Sequence, residues 1–224
     1  MKLHLGCGLQ YIDGYVNIDY PVSEQSVQRM LKADIYSDLL TLEYENNSIE
    51  EIRLHHVFEH FDRTDSLTLL CKWRDWLIPG GLLRIETPDV LSSFKLVASP
   101  FRSIEYKHQV MRHIFGSHEA SWAIHCDGWY KDKFNFTLGK LGFANMKFVK
   151  NKWQALRNIE VFAYKSDDDL AYKEYLKQVR DILSLSTVKI DNSSEPEGTE
   201  LEMLNVWVNL WSTKYNPCIE ENAN

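Results

Sequence analysis

Gly6-Cys7-Gly8 follows the apolar Leu3-His4-Leu5, and Asp19 stands eleven residues after Gly8. Glycines just past a strand let the backbone turn sharply and approach a ligand with no Cβ in the way. An acid at the end of the next strand can accept hydrogen bonds from the two ribose hydroxyls of a nucleoside. The same residues also suit a plain tight turn and a solvated strand end, so on their own they leave both readings open. A dinucleotide fits less well. Its fingerprint asks for a third glycine where this chain has Tyr11, and for an acid about 20 residues on. The crossover from Cys7 to Gly14 is also shorter than the roughly 10–12 residues of an ordinary βαβ connection. The first helix must therefore shrink to a turn or so, and a pyrophosphate needs a good helix N-terminus.

The second stretch is His56-Val57-Phe58-Glu59-His60. It fits H-x-x-E-H, a metallopeptidase pattern in which two histidines one helical turn apart hold zinc and the glutamate polarises water. Here the cluster ends a strand, so its first half is not expected to be helical. A third ligand would have to come from His108, His113, His118 or His125. The alternatives are a structural role, with Glu59 hydrogen-bonding a neighbouring loop and His60 opening a helix, or a polar wall beside a cofactor or acceptor. The last reading is preferred, and no metal is assigned.

The elements that must position these residues follow from periodicity and punctuation. Leu3–Leu5 and Tyr15–Asp19 read as strands, Lys32–Asp34 as the end of a third after a weak helical stretch at Gln25–Leu31, and Glu51–His55 as a fourth. Asp62–Ile78 carries Leu69, Leu70, Trp73, Trp76 and Leu77 on one face, with Thr64 or Asp65 as cap and Pro79-Gly80-Gly81 as stop. Leu82–Thr87 is the next strand, an α-to-β return typical of a parallel sheet. Residues 89–128 read as irregular and Gly128–Leu141 as a helix. Phe143–Val149 and Ile159–Tyr164 then form a closing strand pair. Ser166–Ser184 reads as a charged helix, Asp191–Thr199 as a linker, and Leu201–Trp211 as an apolar terminal helix that docks on the domain or on a second subunit.

With 224 residues, 44% hydrophobic and 25% charged, the chain suits one well-buried domain plus an appendage. A net charge of −7 disfavours a nucleic-acid partner. Cys7, Cys71, Cys126 and Cys218 form no CxxC pair, which argues against a disulfide framework or a zinc ribbon. No signal-peptide core and no membrane-length apolar run are present, so the cytoplasm is the expected location.

The order of the motifs carries a resemblance. Leu-His-Leu-Gly-Cys-Gly is followed by Gly14–Asp19, Ala33-Asp34-Ile35, His55–Phe61 and then Trp76–Asp89 with its Pro-Gly-Gly. Together they closely resemble the class I S-adenosylmethionine (SAM)-dependent methyltransferases. The likeness is greatest to a branch of small predicted bacterial enzymes of the methyltransferase type 11 kind. It covers roughly residues 2–165 and includes His125, Trp129 and Leu141-Gly142-Phe143. Residues 166–224 lie outside it and are expected to be a helical extension.

The resemblance implies an α/β, Rossmann-like fold. Its seven-stranded, mostly parallel sheet has the order 3-2-1-4-5-7-6 with the seventh strand antiparallel, flanked by helices. It implies that Gly6, Cys7 and Gly8 border the methionine end of SAM, that Asp19 holds the ribose, and that Asp34 with Ile35 meets the adenine. His55 and His56 would line the methionine side. Methyl transfer needs alignment and exclusion of water, and a hydroxyl acceptor also needs a base. His125 is the first candidate, then His118, with Asp89 after the fifth strand and Glu119 in the irregular insert as further ones. Trp122 and Trp129 are available for stacking but suit the core better. The expected partner is a small-molecule or glycan acceptor, and a homodimer through the C-terminal helix is a further expectation. The competing readings are a non-catalytic SAM-binding module, a zinc hydrolase using His56, Glu59 and His60, and, more distantly, a nicotinamide oxidoreductase.

Overall fold

A computed structural model describes residues 1–21, 32–168, 170–189 and 195–215. The helical stretch expected at Gln25–Leu31 falls wholly outside these residues, as do the first four residues of the expected linker and Cys218. Seven strands form one sheet in the order β3-β2-β1-β4-β5-β7-β6. They are β1 (Lys2–Leu5), β2 (Val16–Asp19), β3 (Ile35–Tyr36), β4 (Ile49–His55), β5 (Leu77–Pro88), β6 (Phe143–Trp153) and β7 (Leu156–Lys165). The first five pair in parallel; β7 runs antiparallel between β5 and β6. This is the order and sense that the resemblance implies. Leu3, Leu5, Ile18, Ile52, Leu54, Leu83, Ile85 and Val161 are buried, as a parallel sheet covered on both faces requires.

The helices are α1 (Arg63–Trp76), α2 (Val90–Ala98), α3 (Ile104–Phe115), α4 (Lys131–Lys140), α5 (Tyr172–Ser184) and α6 (Gly198–Tyr215). On α1, Leu69, Leu70, Trp73 and Trp76 are buried against the sheet, each worth roughly 1.5–3 kcal/mol. Five sequence expectations need correction. The cap of α1 is Asp62, whose carboxylate accepts from Thr64 N and Asp65 N, rather than Thr64 or Asp65. The Pro79-Gly80-Gly81 turn does not stop α1, because Leu77 is already extended and the turn lies inside β5. The third strand begins after Asp34, not before it. The region 89–128 is not irregular throughout, since it holds α2 and α3, N-capped by Asp89 and Ser103. The last two residues of the expected linker are also helical, because α6 begins at Gly198.

The apolar face of α6 is buried within the chain. Leu204, Val208 and Trp211 join the main core, packed on α1 and α5. The joint has a polar hub: Asp75 accepts from Tyr175 Oη at 2.8 Å and Tyr215 Oη at 2.6 Å. Lys214 adds an ion pair to Asp65 at 2.5 Å. Arg74, also buried, bonds Tyr175 Oη at 3.2 Å and the Asp168 carbonyl. Helices α5 and α6 are thus fastened to α1 by apolar and polar contacts alike. No described helix is long and apolar enough to cross a membrane.

Candidate functional site

The carboxyl ends of β1, β2, β4 and β5 gather most of the expected site residues along one edge of the sheet. Ligands bind at this edge in open α/β folds. No helix forms between β1 and β2; the crossover is a looped segment held from inside by Asn17. This side chain is fully buried. Its Oδ1 accepts from Ile12 N at 2.9 Å and from His4 Nδ1 at 3.0 Å. Its Nδ2 donates to the carbonyls of Ile12 and Tyr15 at 3.0 and 3.1 Å. A single amide thus does the work that a helix's internal hydrogen bonds do in a longer crossover.

Gly6 and Gly8 both have positive φ, 64° and 53°. A Cβ on Gly6 would run into the Val57 side chain, so this glycine is required by packing between the loop and the β4–α1 junction. Gly8 N donates to Asp19 Oδ2 at 2.5 Å, and Tyr20 N donates to Asp19 Oδ1 at 2.7 Å. Cys7 lies between them, its N bonded to Ile18 O at 3.1 Å. Its thiol is pushed up to about 12, mainly by burial and then by the Asp19 charge, so it is not a nucleophile near neutrality.

Asp34 is tied to the same loop. Oδ2 accepts from Asn17 N at 2.8 Å and Oδ1 from Tyr11 Oη at 2.8 Å. These bonds, the one from the Asn17 backbone foremost, hold its carboxyl below the usual range. Ile35 and Tyr36 beside it are 39% and 44% exposed, an apolar surface at the sheet margin.

On the other side of β1, His55 ends β4 and His56 follows it. His56 adopts the left-handed region at φ 54°, uncommon for a residue other than glycine. Its N donates to Glu86 O at 2.9 Å, its Nδ1 meets Glu59 Oε1 at 3.1 Å, and its Nε2 meets Asn158 Nδ2 at 2.8 Å. Burial opposes its charge, but the Glu59 bond together with Glu59 and Glu86 outweighs burial and raises His56. Glu86 lies within 3.4 Å of His55 Nε2 and accepts from Asn158 and Asn151 at 2.8 and 2.9 Å. Burial would raise Glu86, yet these partners hold it down at about 2. Sequence reading missed Asn17, Glu86 and Asn158. The polar members of β5 and β7 were visible as breaks in an apolar strand, but pairing them needs the antiparallel register.

The H-x-x-E-H stretch is not a helix. Phe58–His60 is a single 3-10 turn after the strand. His56 points to Glu59 and Asn158, while His60 Nδ1 bonds Ile124 O at 3.2 Å. The i, i+4 pairing on one helical face that a zinc-hydrolase reading requires is absent from this segment. The Glu59 main chain does clasp a neighbouring loop, its carbonyl accepting from Cys126 N at 2.8 Å.

The expected catalytic residues divide. His125 lies beside this cluster, with Nδ1 on Ile114 O at 3.1 Å and Nε2 at 3.9 Å from Glu59 Oε1. Burial lowers its pKa against the pull of Glu59. His113, behind His56, is pushed down to about 4 by burial and by His56. His118 is exposed and bonds Phe115 O at 2.7 Å, and no hydrogen bond or ion pair joins it to the cluster. Asp89 is buried, and its carboxylate is engaged as the cap of α2 by Ser92 N at 3.1 Å and by Ser92 Oγ. Trp129 is core, against Phe58 and Phe134. A cleft bounded by Arg63, Tyr130, Lys133 and Ile182 shares no residue with this edge.

No family model matches the chain, and no curated protein matches it significantly. Solved structures do. The complex containing the Trm112 methyltransferase activator of Haloferax volcanii aligns over 76% of this chain and 83% of its own, with 13% identity and a TM-score of 0.50. A SAM-dependent methyltransferase from Mesorhizobium loti aligns over 73% and 90%, with 15% identity and a TM-score of 0.49. A possible exported protein from Bordetella parapertussis aligns over 74% of this chain, at 15% identity and a TM-score of 0.47, and this chain spans 61% of its length. At such identities the likeness is one of architecture. With its 3-2-1-4-5-7-6 sheet and antiparallel seventh strand, the chain has the fold that the class I methyltransferase resemblance implies.

Proposed function

We propose that the protein is a cytoplasmic SAM-dependent methyltransferase acting on a small-molecule or glycan acceptor, through a hydroxyl. Residues 1–165 would carry the chemistry and 166–224 the helical extension. The observation that carries the reading is the Gly8–Asp19 pair at the carboxyl edge of the sheet. Each Asp19 oxygen accepts one backbone N–H, which fixes the carboxylate at the end of β2, the position from which an acid accepts from ribose hydroxyls. Gly6, Cys7 and Gly8 would border the methionine end, with His55 and His56 opposite. Asp34 and Ile35 would flank the adenine, the apolar margin of Ile35 and Tyr36 suiting a flat base.

When bound, SAM supplies a methyl group on a sulfonium centre, already activated for displacement. The chain's own task is then to align the acceptor and receive its proton. Neutral imidazole is the form that accepts a proton, and the lowered pKa of His125 keeps it in that form at pH 7. His125 is therefore the assigned base. His118 and Asp89 are weaker assignments, because the first stands apart and the second is occupied in capping. Calorimetric titration of SAM and S-adenosylhomocysteine tests the cofactor reading. Binding that Asp19→Ala weakens tenfold or more is the expected result, and absence of binding by the folded wild type removes the reading.

A further inference from the structure

Two groups of histidine and carboxylate donors lie near the ends of β4 and β5: His55, His56 and Glu86, and Glu59, His60 and His125. In each, the donor atoms lie within 4.8 Å of one another. In the first group the donors are already engaged. Asn158 and Asn151 hold both Glu86 oxygens, and Asn158 and Glu59 hold the two nitrogens of His56.

The second group is different. His60 Nδ1 lies 3.2 Å from Ile124 O, and His125 Nδ1 lies 3.1 Å from Ile114 O. A backbone carbonyl only accepts, so in each ring Nδ1 must carry the proton. In the neutral ring Nε2 is then a bare lone pair. Fixing the tautomer by a carbonyl bond to the far nitrogen is the arrangement that surrounds metal-bound histidines. The rings meet edge to face with centroids 4.7 Å apart. Glu59 is 2% exposed. Its Oε1 faces His56, but its Oε2 is buried with no hydrogen-bond partner. A buried carboxylate oxygen left unpaired is costly and calls for a ligand.

We propose that Glu59, His60 and His125 form a binding site for a divalent transition-metal ion of the zinc type. Two imidazoles and a carboxylate suit zinc, cobalt or nickel rather than magnesium or calcium. Three protein donors leave at least one coordination position open. The frame is built to hold them. Glu59 O accepts from Cys126 N, and His125 N donates to Phe115 O at 3.1 Å, tying the 123–127 loop to both the 3-10 turn and the end of α3. Gly116 permits that approach, since a Cβ there would strike the Ala123 carbonyl. Tetrahedral ligands at about 2.0–2.2 Å from zinc sit roughly 3.3 Å apart, so side-chain rotations of an ångström or so close the set. The site differs from the H-x-x-E-H geometry, for it uses His125 in place of His56; an ion on His125 Nε2 would take the lone pair assigned above to proton transfer, so metal binding and the base role of His125 exclude one another.

The test uses the full chain, stripped with chelator and titrated with Zn²⁺ by calorimetry in the absence of SAM. Co²⁺ absorption serves as a second readout. The expected result is one equivalent bound, with His60→Ala and His125→Ala each weakening affinity by more than about tenfold, since even outer-shell partners are worth that much. His118→Ala and His55→Ala should bind as wild type does. The visible Co²⁺ bands should disappear in the same two variants. Because His125 is partly buried, circular dichroism checks its fold; the His60 variant, altered at a more exposed ring, decides the matter if the other unfolds. No binding by the wild type, binding unchanged in His60→Ala, or loss in His55→Ala alone each overturns the site.

Discussion

The Gly8 backbone N–H donates to the Asp19 carboxylate at 2.5 Å, so the acid at the end of β2 fixes the conformation of the loop at the end of β1. One residue therefore shapes the proposed cofactor loop and presents the oxygens proposed to hold the ribose. Asp19→Ala should lower SAM affinity by about 1.5–3 kcal/mol, the scale of a charged hydrogen bond, and should speed amide exchange at Gly8. Asp19→Asn, keeping one carbonyl oxygen, should fall between. Equal SAM affinity in wild type and Asp19→Ala would remove Asp19 from the cofactor site.

Gly6 and Val57 form a second linked pair. Gly6→Ala places a Cβ in the Val57 side chain at φ +64°, and we expect a loss of about 2–4 kcal/mol from backbone strain and overpacking together. Val57→Ala in the same chain should recover the packing part and leave the strain. Urea denaturation of the two single variants and the double variant measures the coupling. Strict additivity would show that Val57 does not set the requirement for glycine.

Asn17 should matter more than its neutral side chain suggests. Asn17→Ala strands the Ile12 amide and carbonyl and loosens Asp34, at a cost of about 2–4 kcal/mol for several buried groups left unpaired. Limited proteolysis should then cut within residues 9–15 before elsewhere. A variant as stable and as resistant as wild type would mean that the loop is held by other contacts.

Acid should weaken the protein in two stages. His113 has a folded pKa of about 4 against an ordinary 6.5. The unfolded chain takes up this proton first, so stability is full above 6.5 and falls as pH drops from 6.5 towards 4. His113 is 8% exposed, and the loss should reach about 2 kcal/mol. Glu86, at about 2 against 4.5, then loses its contribution as pH falls from 4.5 towards 2. His56 works in the opposite sense: being raised, it stabilises below 6.5 and loses that contribution as pH climbs through its folded value. His113→Gln should flatten the stability profile between pH 6.5 and 4.5. An unchanged slope would show that His113 is not the group responsible.

Most strands, the α1–β5 return and the glycine loop with its acid were legible because each rests on local signals: apolar runs, a three- and four-residue apolar repeat, and glycine after a strand; the strand order came only from the resemblance. The pair α2 and α3 was not read, for a physical reason. Leu91 and Phe94 are nearly half exposed, and Phe101 between the helices is 94% exposed, so the apolar residues do not form one inward stripe. The caps Asp89 and Ser103 and the stop at Gly116 were the signals available. In the site, Asp19 and the histidines stood out by type. Asn17 did not, because a buried asparagine in a strand looks the same as an exposed one until its partners are known. Glu86 and Asn158 meet only through the pairing of β5 with β7.

The hub at Asp75 has a consequence for how the chain is made. Tyr215 lies 140 residues downstream of the carboxylate it binds, and Trp211 fills the same core. During synthesis the sheet strands and α1 leave the ribosome long before their cover does. At about 5–20 residues per second, that interval is on the order of ten seconds. Throughout it, the apolar flank of α1 waits open to water, to chaperones and to other nascent chains, and the protein reaches its final stability only when its last described helix arrives.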